Sequence, residues 1–141
     1  MKIRQLSIFL ENRAGRLAGV TKILGDAGID ILAISVADTT DFGILRILVD
    51  DGEKAVEALK AQEIVCRLTD VSVVSVEGVP GGLAKVLETI NASGVNIEYM
   101  YAVSQKKLPN PLMVFRFSDE SKARAALENA GVKLIDEEEL I

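Results

Sequence analysis

The chain repeats its own pattern after 66 residues. Gly15 matches Gly81 at this offset, and each glycine stands between a run of alternating apolar residues and a run with helical spacing. Further identities at this offset include Glu11/Glu77, Leu17/Leu83, Ala18/Ala84, Val20/Val86, Gly28/Gly94 and Ile31/Ile97. The repeat predicts two small domains, residues 1–69 and 70–141, joined at Thr69-Asp70 without a flexible linker. Because domains of about 70 residues bury little surface alone, we expect the two to pack rigidly together.

The composition narrows the class of protein. Hydrophobic residues make up 49% of the chain and there is no Trp, so the core must be aliphatic. The net charge of −5, with Lys106-Lys107 as the only adjacent basic pair, argues against nucleic acid as a partner. A single cysteine, Cys66, excludes an internal disulfide and fits a reducing compartment. The chain shows neither a signal peptide nor an apolar run of about 20 residues, so we expect a soluble cytoplasmic protein with no membrane partner.

Hydrophobic periodicity predicts the same order of elements in both halves. In the first half, Leu6, Ile8 and Leu10 share one face of a strand, Asn12 is a candidate helix N-cap, and Gly28 is placed to end the helix. The predicted strands are 3–10, 29–38, 44–49, 64–68, 71–76, 97–103, 112–117 and 132–135, and the predicted helices are 15–27, 53–61, 83–93 and 123–130. The hairpin turn of the first half is predicted at Thr39-Thr40-Asp41.

This order predicts an α+β fold made of two ferredoxin-like βαββαβ sandwiches in tandem, with antiparallel sheets and helices on one face. The second hairpin loop, Gln105–Pro111, is longer, so the offset becomes 68 from there on. Residues 136–139 are predicted to form a solvated acidic tail.

Residues typical of catalysis are scarce. The chain has no histidine, and Cys66 lies in an apolar strand where a buried structural thiol is expected. No Cys or His spacing suits zinc, and Gly78–Gly82 lacks the lysine and hydroxyl residue of a phosphate-binding loop. We therefore predict no catalytic residue, no metal ligand, no cofactor and no enzymatic activity.

The two glycine turns are the candidate binding features. A helix N-terminus presents unpaired amide groups and a partial positive charge, which favour a carboxylate, and Gly15, Gly81 and Gly82 leave room for a ligand to approach. The alternative is that these glycines only allow a tight turn. Asp30 and Asn96 form a second matched pair, able either to accept bonds from an ammonium group or merely to cap a turn. They lie about 20 Å from the glycine turn of the same domain, so one small ligand would need two domains.

These motifs strongly resemble the ACT domain. The resemblance is carried by Asn12-Arg13-x-Gly15-x-Leu17 with Gly28-Ile29-Asp30-Ile31, and again by Val79-Pro80-Gly81-Gly82-Leu83 with Gly94-Val95-Asn96-Ile97. It implies a regulatory role and a small ligand, most often an amino acid, held between paired domains. Carried over by position, the ligand-binding residues would be Glu11, Asn12, Arg13, Ala14, Gly15, Arg16, Leu17, Asp30 and Ile31, and then Gly78, Val79, Pro80, Gly81, Gly82, Leu83, Asn96 and Ile97.

The second turn departs from the ACT pattern at Gly78, where the family usually has a polar residue such as Asn12. We therefore expect the first turn to bind more tightly. Homo-oligomerisation, as a dimer, is expected because it would cover exposed edge strands. An alternative function is a ligand-free interaction subunit of an amino-acid-metabolism enzyme. RNA binding is disfavoured: Tyr99 and Tyr101 share one face of a strand, but the chain is acidic and the first and third strands of the first half offer only Phe9.

Overall fold

A computed structural model describes residues 3–38 and 42–141, and these residues form two compact units. The N-terminal unit is Arg4–Thr69, and the C-terminal unit is Asp70–Ile141 together with Ile3. The predicted turn at residues 39–41 lies outside the described residues. No helix in the described ranges combines the length and the apolar character that crossing a membrane requires.

The N-terminal unit follows the order strand, helix, strand, strand, helix, strand. Its elements are β1 (Ile3–Glu11), α1 (Arg16–Asp26), β2 (Ile31–Asp38), β3 (Phe42–Val49), α2 (Gly52–Ala61) and the beginning of β4 (Cys66–Ser75). The strand order is β2-β3-β1-β4, and β3 is antiparallel to both of its neighbours. In β1 the residues Leu6, Ile8 and Leu10 are buried against Leu24 of α1 and Leu59 of α2, so the predicted apolar face of this strand is confirmed.

The C-terminal unit repeats this arrangement. It contains the end of β4, then α3 (Gly82–Ser93), β5 (Ile97–Val103), β6 (Leu112–Phe117), α4 (Glu120–Asn129), β7 (Leu134–Ile135) and α5 (Glu137–Leu140). The strand order is β7-β4-β6-β5. Phe115 and Phe117 stack with ring centroids 5.3 Å apart, and they pack against Ile90 of α3 and Leu127 of α4. The predicted tandem ferredoxin-like α+β fold is confirmed.

One strand replaces two of the predicted ones. Strands were expected at 64–68 and 71–76, but β4 runs without interruption from Cys66 to Ser75. The reason is local, since no glycine or proline occurs between Ile64 and Val76 to end the extended chain.

The C-terminal residues form structure where a solvated tail was expected, and that prediction is wrong. The carboxylate of Asp136 accepts a hydrogen bond from the Glu139 amide at 2.9 Å and so caps the single turn of α5. The Glu139 carboxylate lies 2.8 Å from Lys133 Nζ. Leu140, only 5% exposed, packs its side chain into the unit, so the turn carries an apolar anchor as well as acidic residues.

Candidate ligand site at the glycine turns

The two glycine turns adopt the same backbone conformation. Gly15 has φ 85° and Gly81 has φ 83°, and each is the N-cap of its helix, α1 or α3. Only glycine reaches this left-handed region without strain. A Cβ built on either residue would meet no atom of residues 3–38 and 42–141 within 4 Å, so these residues leave open space beside both glycines, as their proposed role requires.

The helices that follow these turns lack side-chain caps, which sets them apart. Neither α1 nor α3 has a side-chain cap hydrogen bond or an acidic residue in its first turn. By contrast, Asp51 caps α2 by accepting from the Lys54 amide at 3.1 Å, and Asp119 caps α4 by accepting from the Lys122 amide at 3.0 Å. The expected Asn12 cap is wrong, because the left-handed Gly15 occupies the cap position. The amides of Arg16 and Gly82 already donate to the Arg13 and Val79 carbonyls, so the later first-turn amides of α1 and α3 are the ones left for an external acceptor.

A small groove of about 160 Å³ lies at the first turn. Its polar side is a cluster in which Arg13 Nε is 3.5 Å from Glu11 Oε2 and Arg16 Nη2 is 3.8 Å from Glu11 Oε1. Exposed pairs of this kind add little to stability, but here they place two guanidinium groups beside one carboxylate. Among the described residues, those that line the groove are Leu10, Glu11, Asn12, Arg13, Arg16, Leu17, Val36, Gly43 and Leu45.

An equivalent groove of about 370 Å³ lies at the second turn. Its lining is Val76, Glu77, Gly78, Val79, Pro80, Leu83, Pro111 and Met113. Each of these residues occupies the position of one that lines the first groove, except Pro80, which corresponds to Ala14. The chemistry differs, however, because Val79 stands in the place of Arg13 and Gly78 in the place of Asn12.

Gly82 does not provide open space for a ligand. A Cβ at this position would collide with the carbonyl oxygen of Glu77, so the chain's own backbone occupies the volume that the missing side chain leaves. Of the three turn glycines, only Gly15 and Gly81 face open space. Gly78 is also confined, since a Cβ there would lie 3.4 Å from Pro111 Cδ.

Asp30 and Asn96 have matched backbone roles. The Asp30 amide donates to Asp50 Oδ1 at 3.0 Å, and the Asp50 amide donates to the Asp30 carbonyl at 3.2 Å. In the other unit, the Asn96 amide donates to Ser118 Oγ at 3.0 Å and the Ser118 amide donates to the Asn96 carbonyl at 2.9 Å. The side chains of Asp30 and Asn96 are exposed. None of Asp30, Ile31, Asn96 and Ile97 lines the groove of its own unit.

Sequence reasoning missed the hairpin residues of the grooves. Val36 and Leu45 on β2 and β3 line the first groove, and Pro111 and Met113 line the second. The strand alternation contains a signal for them, because Leu45 and Met113 lie on the faces that carry the core residues Ile47 and Phe115. The turn and the hairpin are distant in sequence, however, so the alternation does not show that they share a groove.

Each unit has a second, larger cavity behind its turn. The one in the C-terminal unit has about 480 Å³ and is lined in part by Lys85, Thr89, Gly131 and Lys133. The hydrogen bond and charge of Glu139 raise the pKa of Lys133, so this lysine is already paired. Its counterpart in the N-terminal unit has about 440 Å³. These larger cavities also reach the turns, through Gly15 in the N-terminal unit and Gly82 in the C-terminal unit. Neither Gly15 nor Gly81 is among the residues that line the grooves.

Comparison with known proteins places the chain in a family. The model of the ACT domain pair matches residues 1–141. Protein BT0572 from Bacteroides thetaiotaomicron is 42% identical with a TM-score of 0.90, over 99% of this chain and 96% of that one. The ligand-free regulatory subunit of aspartate kinase from Thermus thermophilus is 24% identical (TM-score 0.69, 93% and 92% covered), and that from Thermus flavus is 21% identical (0.64, 93% and 94%). These two likenesses show the fold. No curated protein matches the chain.

Proposed function

The chain belongs to the ACT domain pair family, and on this premise we propose that it is a regulatory protein that binds an amino acid at its glycine turns. The observation that carries the proposal is the contrast between its helix starts. α2 and α4 begin with an aspartate cap, whereas α1 and α3 begin with a left-handed glycine beside open space and no side-chain cap. Amides at a helix N-terminus that have no side-chain acceptor can bind the carboxylate of a ligand.

The ammonium group of the ligand requires a second partner. Asp30 and Asn96 offer exposed side-chain oxygens, with the backbone at Ile31 and Ile97 beside them, but α1 with its 11 residues separates Asp30 from the first turn by about 16 Å. One unit cannot bring both groups to one amino acid. We propose that another ACT domain supplies the second group across an interface, in a homodimer.

Binding between two domains would give the protein its regulatory effect. A ligand that contacts both domains stabilises one relative placement of them over others. We propose that an enzyme of amino-acid metabolism reads this change, in the cytoplasm, where the single Cys66 stays reduced. The regulatory subunits of aspartate kinase share the fold, which supports a regulatory role of this kind. The family match spans the chain without a recognised catalytic domain, in keeping with a protein that regulates and does not itself catalyse.

Thermal unfolding in the presence of each of the twenty amino acids tests the proposal. A ligand at 100 times its dissociation constant adds about 2.7 kcal/mol to the free energy of unfolding. We expect a stabilising shift with at least one amino acid and its loss in the double variant Gly15→Val, Gly81→Val. Gly131→Val is the matched control, because Gly131 also has a positive φ (75°) and open space but lies after α4, outside both glycine turns.

A ligand-free interaction subunit is the second candidate. The observation that favours it is the edge strand β2, where Ile34 and Val36 are about half exposed. An edge with apolar side chains can pair with a strand of a partner. Absence of a thermal shift with all twenty amino acids would contradict the sensor proposal and favour this one.

A further inference from the structure

The groove at the second turn has a chemical character of its own. We propose that this groove accepts an amino acid with an aliphatic side chain and discriminates against charged ones. The inference rests on the function proposed above and specifies the class of ligand for one of its two sites.

The lining of this groove is almost entirely apolar. Six of its residues are Val76, Val79, Pro80, Leu83, Pro111 and Met113. Val79 is 57% exposed and Leu83 is 37% exposed, so both have apolar surface that a ligand side chain would remove from water. Binding sites for small molecules combine such a lining with a few polar groups that orient the ligand.

The polar group that would orient the ligand lies beside this surface. Leu83 stands in the first turn of α3. The Gly82 amide already donates to the Val79 carbonyl, so the amides available to a ligand are those of Leu83 and the residue after it. A ligand whose carboxylate binds those amides therefore has its side chain against the apolar lining. An anionic side chain would lose hydration there without gaining a partner of opposite sign. Glu77, the single ionisable residue of the lining, could pair with a cationic side chain, but it is exposed and such pairs add little to affinity in water.

The first groove provides the contrast. It has the same backbone frame, but Glu11, Arg13 and Arg16 form its charged side. At the second turn, Val79 stands in the place of Arg13 and Gly82 in the place of Arg16, so neither guanidinium group has a counterpart there. Because the turn conformation is shared, the side chains set the difference in ligand preference between the two grooves.

Calorimetric titration of the wild-type protein with alanine, 2-aminobutyrate, norvaline and leucine tests the inference. Each added methylene is expected to raise the affinity about fourfold, until the groove is filled. Aspartate, glutamate and lysine are expected to bind at least tenfold more weakly than leucine. Gly81→Val is expected to abolish leucine binding, while Gly15→Val leaves it in place.

Leu83→Asn gives a sharper test, with Ile34→Asn as the control at an exposed apolar residue that lines neither groove. Leu83→Asn should weaken leucine binding about tenfold and alanine binding far less, because the change removes apolar contact and leaves the turn amides untouched. Ile34→Asn should change neither. Both residues are partly exposed, and circular dichroism checks that the variants remain folded.

The outcomes separate this inference from the proposed function. If no amino acid binds, the proposed function itself fails. Suppose instead that an amino acid binds and that Gly81→Val abolishes its binding. If affinity then stays the same from alanine to leucine, or if lysine binds best, the sensor function stands and the aliphatic preference is overturned. Leucine binding that Gly15→Val removes and Gly81→Val spares would also overturn it.

Discussion

The carbonyl oxygen of Glu77 occupies the position where a side chain on Gly82 would begin. Gly82 is buried at the start of α3, and its amide donates to the Val79 carbonyl at 3.0 Å. At the equivalent position of the first turn, α1 begins with Arg16, which carries a full side chain. The two turns therefore share their left-handed glycine but differ at the next residue, where the second turn leaves no space for a side chain and the first turn does.

Gly82→Ala should destabilise the protein by about 1–3 kcal/mol, because the added methyl group overpacks against a backbone atom that cannot move freely. Gly19→Ala is the control, since its Cβ would meet no atom within 4 Å in the interior of α1. This control should gain about 0.5–1 kcal/mol from the better helix propensity of alanine. Urea unfolding measures both changes, and a Gly82→Ala variant as stable as wild type would contradict the contact with Glu77.

Gly15→Val should cost more ligand affinity than Gly81→Val for the amino acid that binds the first turn. This turn carries Asn12, Arg13 and Arg16, whose side chains can add charge-assisted bonds to a carboxylate. The two substitutions impose similar backbone strain, because φ is 85° and 83°. Calorimetry compares the losses, and equal losses for every ligand would contradict the prediction.

Leu140→Ala should destabilise the C-terminal unit by about 2 kcal/mol, at the low end of the range for a buried leucine because the chain end can relax. Ile141→Ala is the neighbouring control, with 42% of the residue exposed, and should change the free energy of unfolding by less than about 0.5 kcal/mol. Thermal unfolding of both variants makes the comparison. Equal values would mean that the terminal turn contributes no packing.

The Cys66 thiol should react slowly with a thiol reagent in the folded protein at pH 8. Partial burial raises the pKa of Cys66, so the reactive thiolate is scarcer than in the unfolded chain. The folded protein therefore holds the thiol proton more tightly than the unfolded chain does. Its contribution to the free energy of unfolding is complete below the pKa of the unfolded thiol, and it is lost as the pH rises through the higher pKa of the folded thiol. Equal reaction rates with and without urea would contradict this, and Cys66→Ser provides the blank.

The local sequence pattern was sufficient to predict the order of the main elements and the glycines that adopt a positive φ. Gly15, Gly28, Gly81 and Gly94 all have positive φ, as their places beside helix-periodic runs indicated. The same reasoning assigned the cap of α1 to Asn12, because it cannot show that Gly15 takes that position. It also divided β4, since Thr69-Asp70 resembles a boundary in composition but has no residue that breaks a strand.

The sequence by itself determined the doubling, the order of the main helices and strands and the matched glycine turns, because periodicity and a fixed offset can be read along the chain. Only the tertiary structure decided which surfaces share a groove. Met113 and Leu83 line the same groove, and the Glu77 carbonyl closes on Gly82, because packing brings together segments that are separated along the chain. The burial of Leu140 was decided in the same way, since a short acidic segment becomes structured only when an apolar residue finds a core to join.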